Sequence, residues 1–217
     1  MNGTEAPAPH SVPARPVHPV RFEGDLESGL SRWLWLVKWL LLIPHLIVLV
    51  FLWIAVFLTS IVAWFAILFT ARYPRGIFDF NVGVMRWSWR VQHYGYRALG
   101  TDRYPAFRLA AGSDDAARLE VAYPENLSRG KVLVKSWLLA IPHYLLIMAF
   151  GGWLSGLLAL YAALSLLFTK RYPPGIFNLL LGLNRWAVRV VAYAALMTDV
   201  YPPFRLDQGG AEPAPAV

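Results

Sequence analysis

Residues 33–69 form an almost uninterrupted apolar stretch, in which Lys38 is the only charged residue and Pro44 the only proline. As one straight helix, this stretch would be about 55 Å long at ~1.5 Å per residue, nearly twice the hydrocarbon core of a bilayer at about 30 Å. Water offers no favourable environment for so much apolar surface. The stretch therefore predicts a helical hairpin of two short transmembrane spans.

The composition is typical of a membrane protein, because 57% of the 217 residues are hydrophobic and 15% are charged. The net charge is +7. Since the basic residues flank the apolar stretches, anionic lipid headgroups explain this charge better than nucleic acid does. The chain has no cysteine, which excludes disulfides, thiolate metal sites and cysteine nucleophiles.

The apolar stretch occurs twice, because the chain contains an internal repeat. Four motifs of the first copy return in the same order 97 to 99 residues later, and they are residues 39–45 with 137–143, 69–78 with 168–177, 86–90 with 185–189, and 102–109 with 199–206. Such an ordered set of matches indicates a tandem duplication. The predicted units are 20–110 for the first repeat and 117–207 for the second. The flanking segments, 1–19 and 208–217, are expected to be disordered tails.

The second copy suggests where each hairpin turns. Gly151 and Gly152 stand where the first copy has Leu52 and Trp53, and two adjacent glycines favour a turn. The predicted spans are 33–51, 54–70, 132–150 and 154–169. Basic residues cluster at the open ends of both hairpins, so the positive-inside rule places both termini in the cytoplasm. The two hairpins would then be parallel repeats of a multi-pass protein.

Each hairpin is followed by a third helical segment, at 78–99 and 177–197. In the first, apolar residues recur at three- and four-residue steps with arginines between them, which predicts an amphipathic helix in the cytoplasmic headgroup layer. The second is more apolar, and a fifth span there stays open. Short alternating stretches around residues 20–22, 106–110, 118–121 and 204–206 could pair into a small cytoplasmic β-sheet, with 111–117 as a hairpin loop. The expected fold class is all-α and integral to the membrane.

The repeated arginines allow two interpretations. Arg72 and Arg171 suit the ends of helices, where a cation meets the helix dipole. Alternatively, the basic side chains could form a cradle for lipid phosphates, made of Arg72, Arg86, Arg90, Arg171, Arg185 and Arg189. Asp102 and Asp199 are expected to form salt bridges with the arginines of the amphipathic helices. Alternatively, the two carboxylates could act in acid–base chemistry, although no nucleophile or metal cluster accompanies them in the sequence.

His45 and His143 follow a proline in each apolar stretch. Proline frees a helix carbonyl, and the histidine could form a hydrogen bond with that carbonyl or with a neighbouring helix, which is a structural role. Alternatively, the two histidines could face each other and ligate a haem iron, or they could handle protons or a polar substrate. Since the chain lacks phosphate-loop, zinc-protease, serine-hydrolase and dinucleotide signatures, we assign no catalytic residue and no metal ligand.

The combination of W-L-L-x-I-P-H, F-T-x-R-Y-P-x-G-I-F, R-W-x-x-R and D-x-Y-P-x-F-R-L resembles the bacterial membrane family catalogued as domain of unknown function 4389. The resemblance covers residues 18–110 and 117–207 and implies a bacterial inner-membrane protein without an established activity. We expect a non-enzymatic scaffold or accessory subunit that contacts anionic lipid, a membrane partner or a second copy of itself, without a cofactor. A haem-binding redox protein and an oligomeric transporter or channel are the alternatives.

Overall fold

The computed structural model describes residues 18–148 and 152–208. Its elements are β1 (Val20–Gly24), α1 (Trp35–Thr70), α2 (Arg75–Tyr94), β2 (Ala117–Val121), α3 (Arg129–Val134), a π-helical turn (Lys135–Leu139), α4 (Ile141–Leu146), α5 (Trp153–Thr169) and α6 (Pro174–Ala194). The predicted predominance of helix is therefore confirmed. Most of both predicted tails, at 1–17 and 209–217, lies outside the described residues.

The first apolar stretch is one continuous helix, so the predicted hairpin of the first copy is wrong. α1 runs unbroken through Leu52 and Trp53, where the turn was expected. Neither residue interrupts a helix, and the turn signal came from the glycine pair of the other copy. Pro44 is accommodated inside α1, which ends at Ala71 in a left-handed conformation with φ 59°. The predicted spans 33–51 and 54–70 therefore belong to the same helix.

The corresponding segment of the second copy is interrupted. The π-helical turn separates α3 from α4, and α5 begins at Trp153 with Gly152 as its N-cap. Gly151 lies outside the described residues. Of the spans predicted here, the second coincides closely with α5. Within the described part of the chain, α1 is the one helix long and apolar enough to cross a bilayer, because α5 has only 17 residues.

α1 packs against the rest of the protein through a single stripe. The buried positions along it are Lys38, Leu42, His45, Leu49, Val56, Ala63 and Ile67. Their spacing of three, four and seven residues places them on one face of the helix. Large apolar side chains project from its other faces, and Phe51 and Phe57 are 68% and 66% exposed. A soluble monomer rarely leaves so extended an apolar surface uncovered.

α2 and α6 lie in the core of the protein and not in an exposed interfacial layer. Most residues of α2 are buried, and they include Trp89 and Tyr94. α2 packs between α1 and β2, while α6 packs against α5 and β1. The helical periodicity of these segments was predicted correctly, but their polar faces are covered by elements distant in the sequence.

The predicted small sheet is confirmed for two of its four stretches. β1 and β2 pair antiparallel, with Phe22 directly opposite Leu119. Residues 106–110 and 204–206 form no strand, and 111–117 is not a hairpin loop. The strand that begins the second copy pairs instead with the strand that begins the first. The sheet therefore joins the two copies.

The contacts between the two copies are reciprocal. Arg86 Nε of the first copy donates to Leu119 O at 3.1 Å, and Arg185 Nε of the second donates to Phe22 O at 3.1 Å. Phe22 and Leu119 are themselves 97 residues apart, as the repeated motifs are. An arginine of each copy therefore donates a hydrogen bond to the strand that begins the other copy.

A pair of tyrosines repeats this exchange. The Tyr73 hydroxyl donates to Ala195 O at 3.2 Å, in the turn after α6. The Tyr172 hydroxyl donates to Ala98 O at 2.6 Å, in the equivalent turn after α2. The two copies are thus related by an approximate two-fold symmetry that passes through the sheet.

The two apolar segments run in opposite directions. Near the end of α1, Trp64 Nε1 donates to Val132 O at 3.1 Å, and Leu127 N donates to Ala71 O at 2.9 Å. Residues 26–30, which precede α1, line one cavity with residues 165–174 at the end of α5. Each segment therefore begins where the other ends, which differs from the predicted pair of parallel hairpins.

Gly83 and Gly182 provide a test of how tightly the chain returns over α2 and α6. A Cβ atom would lie 2.8 Å from Leu109 Cβ at Gly83 and 2.8 Å from Leu206 Cβ at Gly182. We expect Gly83→Ala and Gly182→Ala each to lower the free energy of unfolding by about 1–3 kcal/mol, because the returning segment must move. Thermal unfolding in detergent measures the effect. Gly76→Ala, where a Cβ meets open space, is the control and should leave stability unchanged or slightly raised.

Two neighbouring core positions differ between the copies, and the two changes in side-chain size offset each other. His93 of the first copy is fully buried beside Gly100, whereas the second copy has Ala192 and Met197 at the equivalent positions. A side chain at Gly100 would collide with the His93 ring. The large residue and the small residue have therefore exchanged places within the same packing space.

His93 makes stability depend on pH. Burial lowers the pKa of His93 to about 4, against the opposing influence of Asp25 and Glu27. Because the unfolded chain takes up this proton near pH 6.5, stability should be full above that pH and fall as the pH drops towards 4, by up to about 3 kcal/mol. Unfolding measured from pH 8 to pH 4 should show a shallower dependence for His93→Ala combined with Gly100→Met. His18, whose pKa burial also lowers to about 4, contributes equally in both proteins. An unchanged pH profile would contradict the assignment to His93.

Candidate functional site

The start of α1 contains a buried ion pair. Lys38, which is 1% exposed, places Nζ 2.9 Å from Asp102 Oδ1 and donates to Thr101 O at 2.7 Å. The other carboxylate oxygen of Asp102 accepts from Ser31 N at 2.5 Å. The ammonium group also lies 4.5 Å from the centre of the Tyr94 ring, a cation–π distance. The single charge of α1 is therefore neutralised inside the protein.

The second copy contains the same arrangement. Lys135 Nζ lies 2.5 Å from Asp199 Oδ1 and donates to Thr198 O at 2.8 Å. Asp199 Oδ2 accepts from Ser128 N at 2.7 Å, and the Tyr193 ring centre is 5.2 Å from the ammonium group. The expected pairing of the two aspartates with arginines of α2 and α6 is thus wrong. Their partners are the lysines that begin the apolar segments, because the chain turns back to those points after each core helix.

His45 is enclosed by aromatic residues of its own copy. Its ring is fully buried and stacks on Phe107 with centroids 3.8 Å apart, and Tyr104 lies 4.9 Å away. His45 Nδ1 accepts from Trp87 Nε1 at 3.1 Å. The predicted hydrogen bond to a neighbouring helix is therefore made, and its donor is an indole of α2.

His143 occupies the equivalent enclosure of the second copy. Its ring centroid is 4.3 Å from Phe204, 4.9 Å from Tyr201 and 5.7 Å from Trp186. The hydrogen bond from the tryptophan is missing here, and Trp186 Nε1 finds no partner in the described residues. Since the two histidines sit among residues of different copies, the arrangement gives no support to paired ligation of a haem iron. Within residues 18–148 and 152–208, no group of three or more His, Asp or Glu side chains could hold a metal ion.

Arg86 and Arg90 bind the backbone of the segment that returns over α2. Arg86 Nη1 donates to Leu109 O at 3.2 Å. Arg90 is 5% exposed, donates to Ala110 O at 3.1 Å and pairs with Asp115 at 3.2 Å. Both guanidinium groups are therefore occupied by the protein itself.

Arg185 and Arg189 do the same in the second copy. Arg185 Nη1 donates to Leu206 O at 2.7 Å, and Arg189 Nη2 donates to Asp207 O at 2.8 Å and Gln208 O at 3.0 Å. Arg189 is fully buried, and burial lowers its pKa to about 10. Of the six arginines considered for lipid phosphates, Arg72 and Arg171 remain exposed, just beyond the ends of α1 and α5.

A cavity of about 440 Å³ lies between the two copies. Its walls come from the middle of α1, from α2 and α6, and from residues 147, 148, 152 and 155 of the second apolar segment. Trp53, Trp89 and Trp186 line it with mainly apolar neighbours, and the unpartnered indole nitrogen of Trp186 belongs to this wall. Neither the cavity nor the buried lysines were identified as site features from the sequence. For the lysines a signal existed, because Lys38 and Lys135 share the spacing of Asp102 and Asp199.

These features define a helical protein of two equivalent halves, each with an apolar segment, a buried lysine–aspartate pair and an enclosed histidine. The family model described as domain of unknown function (DUF4389) matches residues 32–108 and 132–205. The two matches cover more than half of the chain, which therefore belongs to this family and contains two copies of its domain. No curated protein and no solved structure matches the chain.

The buried ion pair yields a prediction about stability. Asp102→Asn leaves the Lys38 ammonium buried without its carboxylate, so we expect a loss of about 2–4 kcal/mol in the free energy of unfolding. Asp79→Asn is the control, because Asp79 pairs with Arg75 at an exposed site and should cost less than about 0.5 kcal/mol. Thermal unfolding in the same detergent compares the two variants. Equal effects would show that the buried pair does not stabilise the fold.

Proposed function

We propose that this protein is a membrane-embedded scaffold or accessory subunit, without catalytic activity, that contacts anionic lipid or a membrane partner. The observation that carries the proposal is the exposed apolar surface of α1. Transfer of a large apolar side chain out of water stabilises by about 1.5–3 kcal/mol, and such side chains cover α1 from one end to the other. A buried core helix of a soluble protein would not show this exposure, and a signal peptide has a much shorter apolar region.

Polar groups on α1 support a scaffold rather than a path for solutes. The Thr59 hydroxyl donates to Ala55 O at 2.8 Å and lies 2.9 Å from Asn81 Oδ1. Lys38 and His45 are likewise turned inward and bonded within the protein. The polar groups of this helix therefore stabilise the fold, and they do not form an exposed row along which a polar solute could move.

Contact with anionic lipid is assigned to Arg72 and Arg171. Each follows the end of an apolar helix, is exposed, and precedes a tyrosine that anchors the turn. Each such cation near an anionic surface contributes about 1 kcal/mol. We further place the protein in a bacterial inner membrane with both termini on the cytoplasmic side, as the basic flanks of the apolar segments favour. The multi-pass expectation depended on hairpins, and the continuous α1 removes its basis in the first copy.

Vesicle flotation tests this proposal. The purified protein should remain with phosphatidylcholine vesicles after an alkaline wash, and phosphatidylglycerol should increase its retention. Arg72→Gln combined with Arg171→Gln should remove most of that increase, by about tenfold or more for two cations. Arg21→Gln, on the exposed edge of β1, is the matched control and should behave as the unmodified protein. Release by the alkaline wash would contradict membrane embedding, and an unaffected preference for phosphatidylglycerol would contradict the role of the two arginines.

A further inference from the structure

We propose that α1 and the antiparallel α3–α5 segment lie along one leaflet of the bilayer instead of crossing it. The membrane-binding surface would then be a single face formed by two neighbouring apolar helices. This inference rests on the membrane residence proposed above and specifies its geometry.

α1 is much longer than a helix needs to be to cross a bilayer. Its 36 residues extend over about 54 Å at ~1.5 Å per residue, whereas a helix needs only about 20 residues to cross the hydrocarbon core. Exposed apolar side chains continue from Leu36 to Phe69, so no polar end section is present to occupy the headgroup layers. A crossing helix would leave a long apolar remainder in water, but a helix parallel to the membrane leaves none.

The sheet is connected to the middle of α1 through two neighbouring residues of α2. At the middle of α1, Trp53 Nε1 donates to Ser88 Oγ of α2 at 3.0 Å. The next residue of α2, Trp89, donates to Glu23 O at 2.8 Å and contacts the Phe22 ring with centroids 4.1 Å apart. The strands therefore lie behind α2, level with the midpoint of α1.

The charges on these strands decide between the two orientations. Exposed or half-exposed charged side chains on or beside the sheet include Arg21, Glu23, Asp25, Arg118 and Glu120. If α1 crossed the bilayer, these groups would lie near its mid-plane, where an arginine or aspartate costs about 2.5–3.5 kcal/mol. If α1 lies along a leaflet, the same groups lie on the water side of the protein. The second orientation requires no charge in hydrocarbon.

The basic residues at the two ends of α1 agree with this orientation. Arg103, which is 71% exposed, lies near the start of the helix, and Arg72 and Arg75 lie at its end. A crossing helix would place one of these groups on the far side of the membrane, against the positive-inside rule. With α1 along the leaflet, both groups face the same headgroup layer.

Spin labels on one face of α1 test the orientation directly, because the chain has no native cysteine. Leu36, Ile43, Val50 and Phe57 are exposed at seven-residue intervals, and each is replaced singly by cysteine and labelled in phosphatidylglycerol vesicles. Relative accessibility to oxygen and to a nickel chelate reports the depth of each label. We expect the four depths to agree within about 5 Å, whereas a crossing helix would separate successive labels by about 10 Å along its axis. A steady depth gradient would overturn the proposal.

Maleimide labelling provides an independent test of sidedness. Ser28 and Asn126 are exposed and flank opposite ends of α1, and each is replaced singly by cysteine as Ser28→Cys or Asn126→Cys. In sealed vesicles, an impermeant maleimide should label both of these cysteines from the same side. The exposed control Ser113→Cys should be labelled from that side too. Labelling of the first two from opposite sides would overturn the in-plane orientation while leaving membrane residence intact. Loss of vesicle flotation would instead contradict the function proposed above.

Discussion

The ion pair between Lys38 and Asp102 is the interaction on which the architecture depends. It neutralises the one charge of a long apolar helix, and it brings the segment that follows α2 back to the start of α1. That return places Tyr104 and Phe107 against His45. Because the same pair forms in the second copy, both halves of the protein are closed by the same electrostatic contact.

The sequence was sufficient for the features that depend on local pattern. The duplication, the helical segments and the strand that begins each copy followed from motif spacing and periodicity. The hairpin prediction failed because the glycines near position 151 were assumed to describe position 52 as well, although Leu52 and Trp53 favour helix. The protein partners of the arginines of α2 and α6 could not be derived from the sequence for another reason. Their acceptors are main-chain carbonyls that tertiary folding brings close. Because every residue has such a carbonyl, the sequence does not show which ones will accept.

The two copies have the same arrangement of elements, but they differ in helix continuity and in hydrogen bonding. In the first, Trp87 is hydrogen-bonded to His45 and α1 is unbroken. In the second, a π-helical turn separates α3 from α4, and Trp186 Nε1 has no hydrogen-bond partner within residues 18–148 and 152–208. Irregular helical turns of this kind often occur at functional positions. The cavity between the copies borders this irregular side, so the second copy is where the duplicated framework has departed from symmetry.

The pairing of β1 with β2 has a consequence for synthesis of the chain. Phe22 leaves the ribosome 97 residues before its partner Leu119, and the whole of α1 is made in between. At about 5–20 residues per second, the first strand waits roughly 5–20 s for its partner. During that interval the newly made apolar helix has no second copy to pack against. In the membrane location proposed above, α1 would therefore meet lipid before the sheet that joins the two copies can form.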